Sequence, residues 1–101
     1  MIARIWRGWT NAEDADEYVE YLQRTGIAAF RRTPGNAGAH LLRRTEGNRT
    51  EFIVLSFWDS FEAVKRFAGD DIDRAVFYPE DERFLVARDE HVTHYELMPS
   101  D

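Results

Sequence analysis

The stretch Glu51-Phe52-Ile53-Val54-Leu55-Ser56-Phe57-Trp58, EFIVLSFW, has the length and the β-branched and aromatic content of a strand, yet it does not alternate as a half-buried strand should. Successive side chains on a strand point to opposite faces. One face therefore carries Phe52, Val54, Ser56 and Trp58, and the other Ile53, Leu55 and Phe57. Both faces must leave water. A chain of 101 residues has one core to offer, because at this length folding buries roughly two thirds of the unfolded surface. What covers each face is the question that sets the fold.

On the N-terminal side of this strand, residues 37–45 (AGAHLLRRT) read as its hairpin partner, joined through the turn residues Glu46-Gly47-Asn48. Before them, residues 2–9 (IARIWRGW) have strand character and end at Thr10-Asn11, either of which can cap a helix. Ala15, Tyr18, Val19 and Leu22 then fall on one helical stripe. Glu13, Asp14, Asp16 and Glu17 place negative charge at its start, where the helix dipole favours it. Gly26 marks a break or bend, with Ile27–Arg32 as a last turn or two and Thr33-Pro34-Gly35-Asn36 as the stop. On the other side, Asp59 or Ser60 caps a second helix whose stripe is Phe61, Val64, Phe67 and Ala68, and Gly69 ends it. Ile72, Ala75 and Val76 suggest a helical turn before Pro79, and Glu80–Leu85 another. Residues 91–98 (HVTHYELM) read as the last strand.

The resulting order is that of an α+β, ferredoxin-like βαββαβ fold, expected as a single domain over residues 1–101 with a four-stranded antiparallel sheet and both helices on one face. Nothing remains to cover the second face. The first strand, with Ile2, Ala3, Ile5, Trp6 and Trp9, is apolar on both sides as well. A bare face of several hundred Å² approaches the largest patch a monomer shows. At roughly 25 cal/mol per Å², covering it with its own copy contributes on the order of 10 kcal/mol before association costs. The expected assembly is a homodimer joined through its sheet faces, in effect an eight-stranded barrel with the helices outside.

The totals narrow the partners. The net charge is −6, which argues against nucleic acid, since phosphate binding calls for a basic surface. No apolar run approaches the ~20 residues of a membrane span, and the N-terminus lacks the apolar segment of a signal peptide. The expected location is cytoplasmic, with no membrane partner. There is no Cys, so disulfides, thiolate metal sites and a Cys nucleophile are excluded. Twelve of the thirteen basic residues are Arg, and Arg4, Arg7, Arg43 and Arg44 lie inside predicted strands. There they read as ion pairs or as an anchor for an acidic substrate.

The opening IARIWRG, the segment FWDSFEAVKRFAG and the ending HYEL resemble the antibiotic biosynthesis monooxygenase family of dimeric α+β barrels. The most specific part is Trp58-x-Ser60, then Phe67-Ala68-Gly69, then Ala75-Val76-x-Tyr78-Pro79. The resemblance implies a cofactor-independent monooxygenase. Such an enzyme oxidises a small aromatic or polyketide-like substrate with O₂, in an apolar pocket between the sheet and its own helices. It also implies two alternatives: a non-catalytic barrel that binds a small ligand, and a relative that binds or degrades haem. At the positions that match the axial His and the helix Trp of the haem branch, this chain has Phe77 and Phe67, neither an iron ligand. Tyr78, one residue on, is one.

The chemistry calls for a base and an oxyanion donor. A base working near neutral pH points to His. His94, within HYEL, is the first candidate and His40 the second, while His91 falls at the strand entry. A hydrogen-bonded structural histidine is the competing reading for each. His91 and His94 point to opposite faces of a strand and no two-His-one-carboxylate pattern is present, so no metal site is expected. Trp6, Trp58, Tyr78 and Tyr95 supply N–H or O–H donors, and with Phe67 they are the substrate-binding candidates. Each also serves as ordinary core. The acidic groups Asp70-Asp71-x-Asp73 and Glu80-Asp81-Glu82 read as helix caps and a solvated loop.

Overall fold

A computed structural model describes residues 1–99. Strand β1 (Ile2–Asn11) leads through a 3₁₀ turn into α1 (Ala15–Leu22). A π-helical turn (Gln23–Ile27) joins α1 to α2 (Ala28–Arg32). The π turn includes Gly26, where the sequence predicts a break or bend, and the backbone stays helical through it. Next come β2 (Asn36–Glu46) and β3 (Arg49–Trp58). Their two-residue turn has Gly47 at φ +59° in its first position, the placement that suits a right-twisted hairpin. Helix α3 (Phe61–Ala68) is followed by an irregular stretch, the short α4 (Asp81–Phe84), β4 (Leu85–Arg88) and β5 (Thr93–Glu96).

The antiparallel sheet runs β2-β3-β1, and the far edge of β1 is shared. Thr10–Gly8 pair with β4, and Ile2–Ile5 pair with β5. The sequence predicts one last strand; the structure divides that position between two short ones. The helical turn expected at Glu80–Leu85 is α4, and Leu85–Arg88 is a strand the sequence reading does not anticipate. Asp89 N–H still donates to the Arg7 carbonyl at 3.0 Å before the chain leaves the edge and returns as β5. Ala75 and Val76 are not helical. Residues 75–78 form no regular element, and Arg74 makes an isolated bridge to His91.

The parity of β3 resolves the opening question. Phe52, Val54, Ser56 and Trp58 face the helices and are all buried. They pack with Tyr18, Tyr21, Leu22, Ile27 and Phe30 from the long helix and with Ala63 and Val64 from α3. Ser56, the polar residue in the run, accepts a hydrogen bond from the Trp58 indole N–H at 2.9 Å, so neither buried group is left unpaired. Ile53, Leu55 and Phe57 lie on the other side and are only half-buried. The cross-strand registers place Ala3, Ile5, Arg7 and Trp9 beside them, with His40, Leu42 and Arg44 on one flank and Tyr95 on the other.

Helix α3 buries Ala63 and Val64, while Phe61, expected on its apolar stripe, is exposed. Ser60 caps it by accepting from the Ala63 N–H at 3.2 Å. Asn11, the last residue of β1, takes the N-cap position of the 3₁₀ turn without a side-chain cap bond.

Candidate functional site

The helix-covered side of the sheet holds a cavity of about 50 Å³. Its floor is Arg4 and Trp6 from β1 and Val54 from β3. Tyr18, Leu22, Gly26, Ile27 and Phe30 from the first helix wall one side, and Phe67 from α3 closes an end. The irregular stretch crosses over the top with Ala75 to Tyr78, and Asp81 follows at the start of α4. The lining is chiefly apolar, with a few convergent polar groups, the usual make-up of a small-molecule site.

Trp6 reaches this wall because Gly8, two residues on and on the same face, has no side chain. A Cβ at Gly8 falls on the indole, 2.3 Å from its outer carbon. The ring stands edge-on to Phe77, with centroids 6.1 Å apart, and its N–H donates to the Asp89 carbonyl at 2.9 Å.

Asp81 is the carboxylate of the cavity wall. The acidic run Glu80-Asp81-Glu82 reads as a solvated loop, but the structure buries Asp81 to 4% exposure. Its Oδ1 accepts from the Tyr18 hydroxyl at 3.2 Å and its Oδ2 from the Tyr78 backbone N–H at 2.6 Å. Burial pushes the carboxyl above the ordinary carboxylate range, against the pull of those two hydrogen bonds and of Arg88. The Tyr18 phenol is pushed up too, first by burial and then by the Asp81 charge. Tyr21 accepts from the Glu80 N–H at 3.0 Å and so fixes the same turn from the helix side.

Arg4 forms a second polar centre. It faces the helices, has 3% exposure, and makes no ion pair among the described residues, the ion pair being one of the two roles read for it in the sequence. Its guanidinium donates to the Ile72 carbonyl at 2.5 Å and the Arg74 carbonyl at 3.1 Å. It also lies 3.0 Å from His94 Nε2, while His94 Nδ1 lies 3.3 Å from Asp73. Arginine only donates, so Nε2 is the acceptor and Nδ1–H faces the carboxylate. Burial, with Arg4 adding to it, holds the His94 pKa below the usual histidine value despite Asp73. Burial likewise brings Arg4 down to about 10, with Asp73 opposing.

These placements separate the residues nominated from sequence. Trp6, Phe67 and Tyr78 line the cavity. His94 sits behind Arg4 with its lone pair engaged. Trp58 is fully buried beneath Phe30 and Phe67, outside the lining. His40 and Tyr95 lie across the sheet on the open face and meet neither the cavity nor each other. The sequence reading passes over Asp81 and Tyr18 as site residues. Tyr18 is legible as a stripe residue, whereas nothing local distinguishes Asp81 from its acidic neighbours. Both indole N–H groups are committed to protein acceptors. The Tyr78 hydroxyl has no hydrogen-bond partner among the described residues.

For haem the fit is poor. Phe77 and Phe67 offer no ligand, His94 Nε2 is taken, and of the two phenols in the lining Tyr18 is committed to Asp81, which leaves Tyr78.

No curated protein sequence matches the chain. Among solved structures, a candidate antibiotic biosynthesis monooxygenase of Bacillus cereus superposes with TM-score 0.68 at 15% identity, over 99% of this chain and 97% of that one. A Nitrosomonas europaea protein of the same designation gives 0.67 at 13%, over 98% and 100%. The haem degrader MhuD of Mycobacterium tuberculosis, with two haems in its active site, gives 0.60 at 19%, over 100% and 99%. At these identities the likeness concerns the fold. The family model described as antibiotic biosynthesis monooxygenase matches residues 1–75, from β1 to the start of the stretch over the cavity, and the chain belongs to that family.

Proposed function

We propose that the protein is a cofactor-independent monooxygenase for a small aromatic substrate with an acidic C–H or phenolic O–H, held in the cavity beneath Tyr78. The observation that carries this reading is a buried carboxylate, Asp81, set in a largely apolar wall together with two phenols. In such surroundings a carboxylate is a stronger base than in water. For a ring methylene the reaction is balanced as RCH₂R′ + O₂ → RC(=O)R′ + H₂O. Asp81 removes a proton and the carbanion gives its electrons to O₂, forming a C–O bond. The resulting peroxide loses water as the second C–H proton departs. Tyr78 donates to the developing oxyanion. Asp81 is the base rather than His94 or His40, because Asp81 lines the cavity, whereas His94 lies behind Arg4 outside the lining and His40 lies across the sheet. The test is oxygen uptake with anthrone and naphthol substrates. Uptake should depend on the protein and fall about 10²–10⁴-fold in Asp81→Asn. No protein-dependent uptake over the panel would sink the reading.

A homodimer built by pairing the open sheet faces belongs to the same proposal, with one cavity per subunit. Light scattering should return about twice the 11.9 kDa chain mass. Haem binding is the competing reading, favoured by the free Tyr78 hydroxyl. It requires a Soret band on haemin titration that Tyr78→Phe abolishes.

A further inference from the structure

At about 50 Å³ the cavity is smaller than the ~150 Å³ space that accommodates benzene. Any aromatic ligand must therefore displace part of the wall. The main-chain ties of the irregular stretch show what gives way. Ala75 N–H donates to Glu90 and Val92 N–H to Asp73, both near the sheet edge, and Tyr78 N–H is held by Asp81. Of the residues over the cavity, Val76 and Phe77 carry no such tie among the described residues, whereas the carbonyls of Ile72 and Arg74 flank the tied Asp73 and are held by Arg4.

Arg4 meets the cavity with neutral hydrogen-bond partners, the two carbonyls and His94, and no carboxylate lies within ion-pair distance of it among the described residues. A buried cation without a counter-charge is costly. A purely apolar ligand does not offset that cost. A ligand oxyanion does, since the planar fork fits a carboxylate with charge-assisted bonds.

We infer that Arg4 is an anion subsite of the cavity, where a ligand bearing a carboxylate or similarly acidic oxygen supplies the counter-charge that the guanidinium lacks. His94, held by Asp73, fixes the fork from behind and acts as a positioning residue. The inference rests on the cavity being the ligand site and adds the chemical class of the ligand's polar end.

The test is calorimetric titration of the whole chain with 2-naphthoate and 2-naphthamide, which share a shape and differ in charge. Naphthoate should bind about tenfold tighter or more. Arg4→Met should abolish the preference, and Arg31→Met, on the exposed side of α2, should keep it. Equal affinities in the wild type overturn the anion subsite while leaving the cavity reading intact, as does a preference that survives Arg4→Met. Absence of binding by either compound overturns both. Should Arg4→Met fail to fold, the Arg4 side-chain NMR signal of the wild type decides: it should move with naphthoate and not with naphthamide, and an unmoved signal overturns the inference.

Discussion

The two faces of the sheet are built from the same kinds of residue but differ in what covers them. On β3 the helix-facing set ends in Trp58, which is fully buried, and the opposite set ends in Phe57, which is half-buried. The covered side buries Ser56 with the Trp58 indole, Arg4 with two carbonyls and His94, and Asp81 with Tyr18. The open side carries its polar groups as ion pairs and loose charge, with Arg44 to Glu51 at 3.3 Å and Arg7 between apolar strands. The chain's own helices enclose the candidate site, whereas the opposite apolar face has no cover within the chain and is the surface of the proposed dimer. Trp58→Ala should cost about 3–5 kcal/mol in chemical denaturation, since it opens a hole between Phe30 and Phe67. Phe57→Ala should cost the isolated chain less than about half as much. Comparable losses at the two neighbours would break the contrast.

Charges sharpen it further. Val54→Asp puts a carboxylate into the core and should leave the chain unfolded, because the charge has no partner there. Leu55→Asp, one residue on, should leave circular dichroism unchanged while halving the mass seen by light scattering. A Leu55→Asp chain that unfolds, or one that keeps the dimer mass, refutes the assignment of the open face to association.

Much of this contrast is legible in the sequence, because it rests on parity and local chemistry. The period of EFIVLSFW divides the two sets, the stripe Ala15-Tyr18-Leu22 locates the covering helix, and Gly47 fixes the hairpin. The site is less legible, because non-local contacts make it. Arg4 shares the parity of Ile2 and Trp6, which places it on their face, yet only the path of residues 72–74 determines that carbonyls meet it. Asp81 is one acid in a run of three, and only the arrival of Tyr18 from 63 positions away separates it from Glu80 and Glu82. The split edge strand follows the same logic. Leu85–Arg88 is too short for periodicity to mark it as a strand, and pairing with β1 decides it. The family match also ends at residue 75, just before Phe77, Tyr78 and Asp81.

The covered side should also be the acid-sensitive one. His94 has its folded-state pKa below the unfolded value, so the unfolded chain binds the extra proton first. Its contribution is fully present above the ordinary histidine value of about 6.5 and is lost as pH falls through the depressed folded value. Protonation places a second cation against Arg4 and loosens the residues that hold the cover. His94→Gln keeps an acceptor for Arg4 without a titrating group, so its denaturation midpoint should lose this dependence below pH 6.5. An unchanged slope in the variant would remove His94 from the network.

The smallest effect concerns the rim of the covered side. Asp59 and Ser60 are both candidate caps in the sequence, and the structure chooses Ser60, whose Oγ accepts from the Ala63 N–H. Ser60→Ala leaves that first-turn donor without its acceptor and should cost about 1 kcal/mol. Asp59→Ala should cost a few tenths at most, since Asp59 is exposed and its backbone N–H already reaches the Gly35 carbonyl at 2.8 Å. Helix α3 touches only the covered face, so Ser60→Ala should lower stability without changing the assembly mass. A variant that loses both would mean that the two faces are coupled through α3, and that cover by helix and cover by copy are not independent.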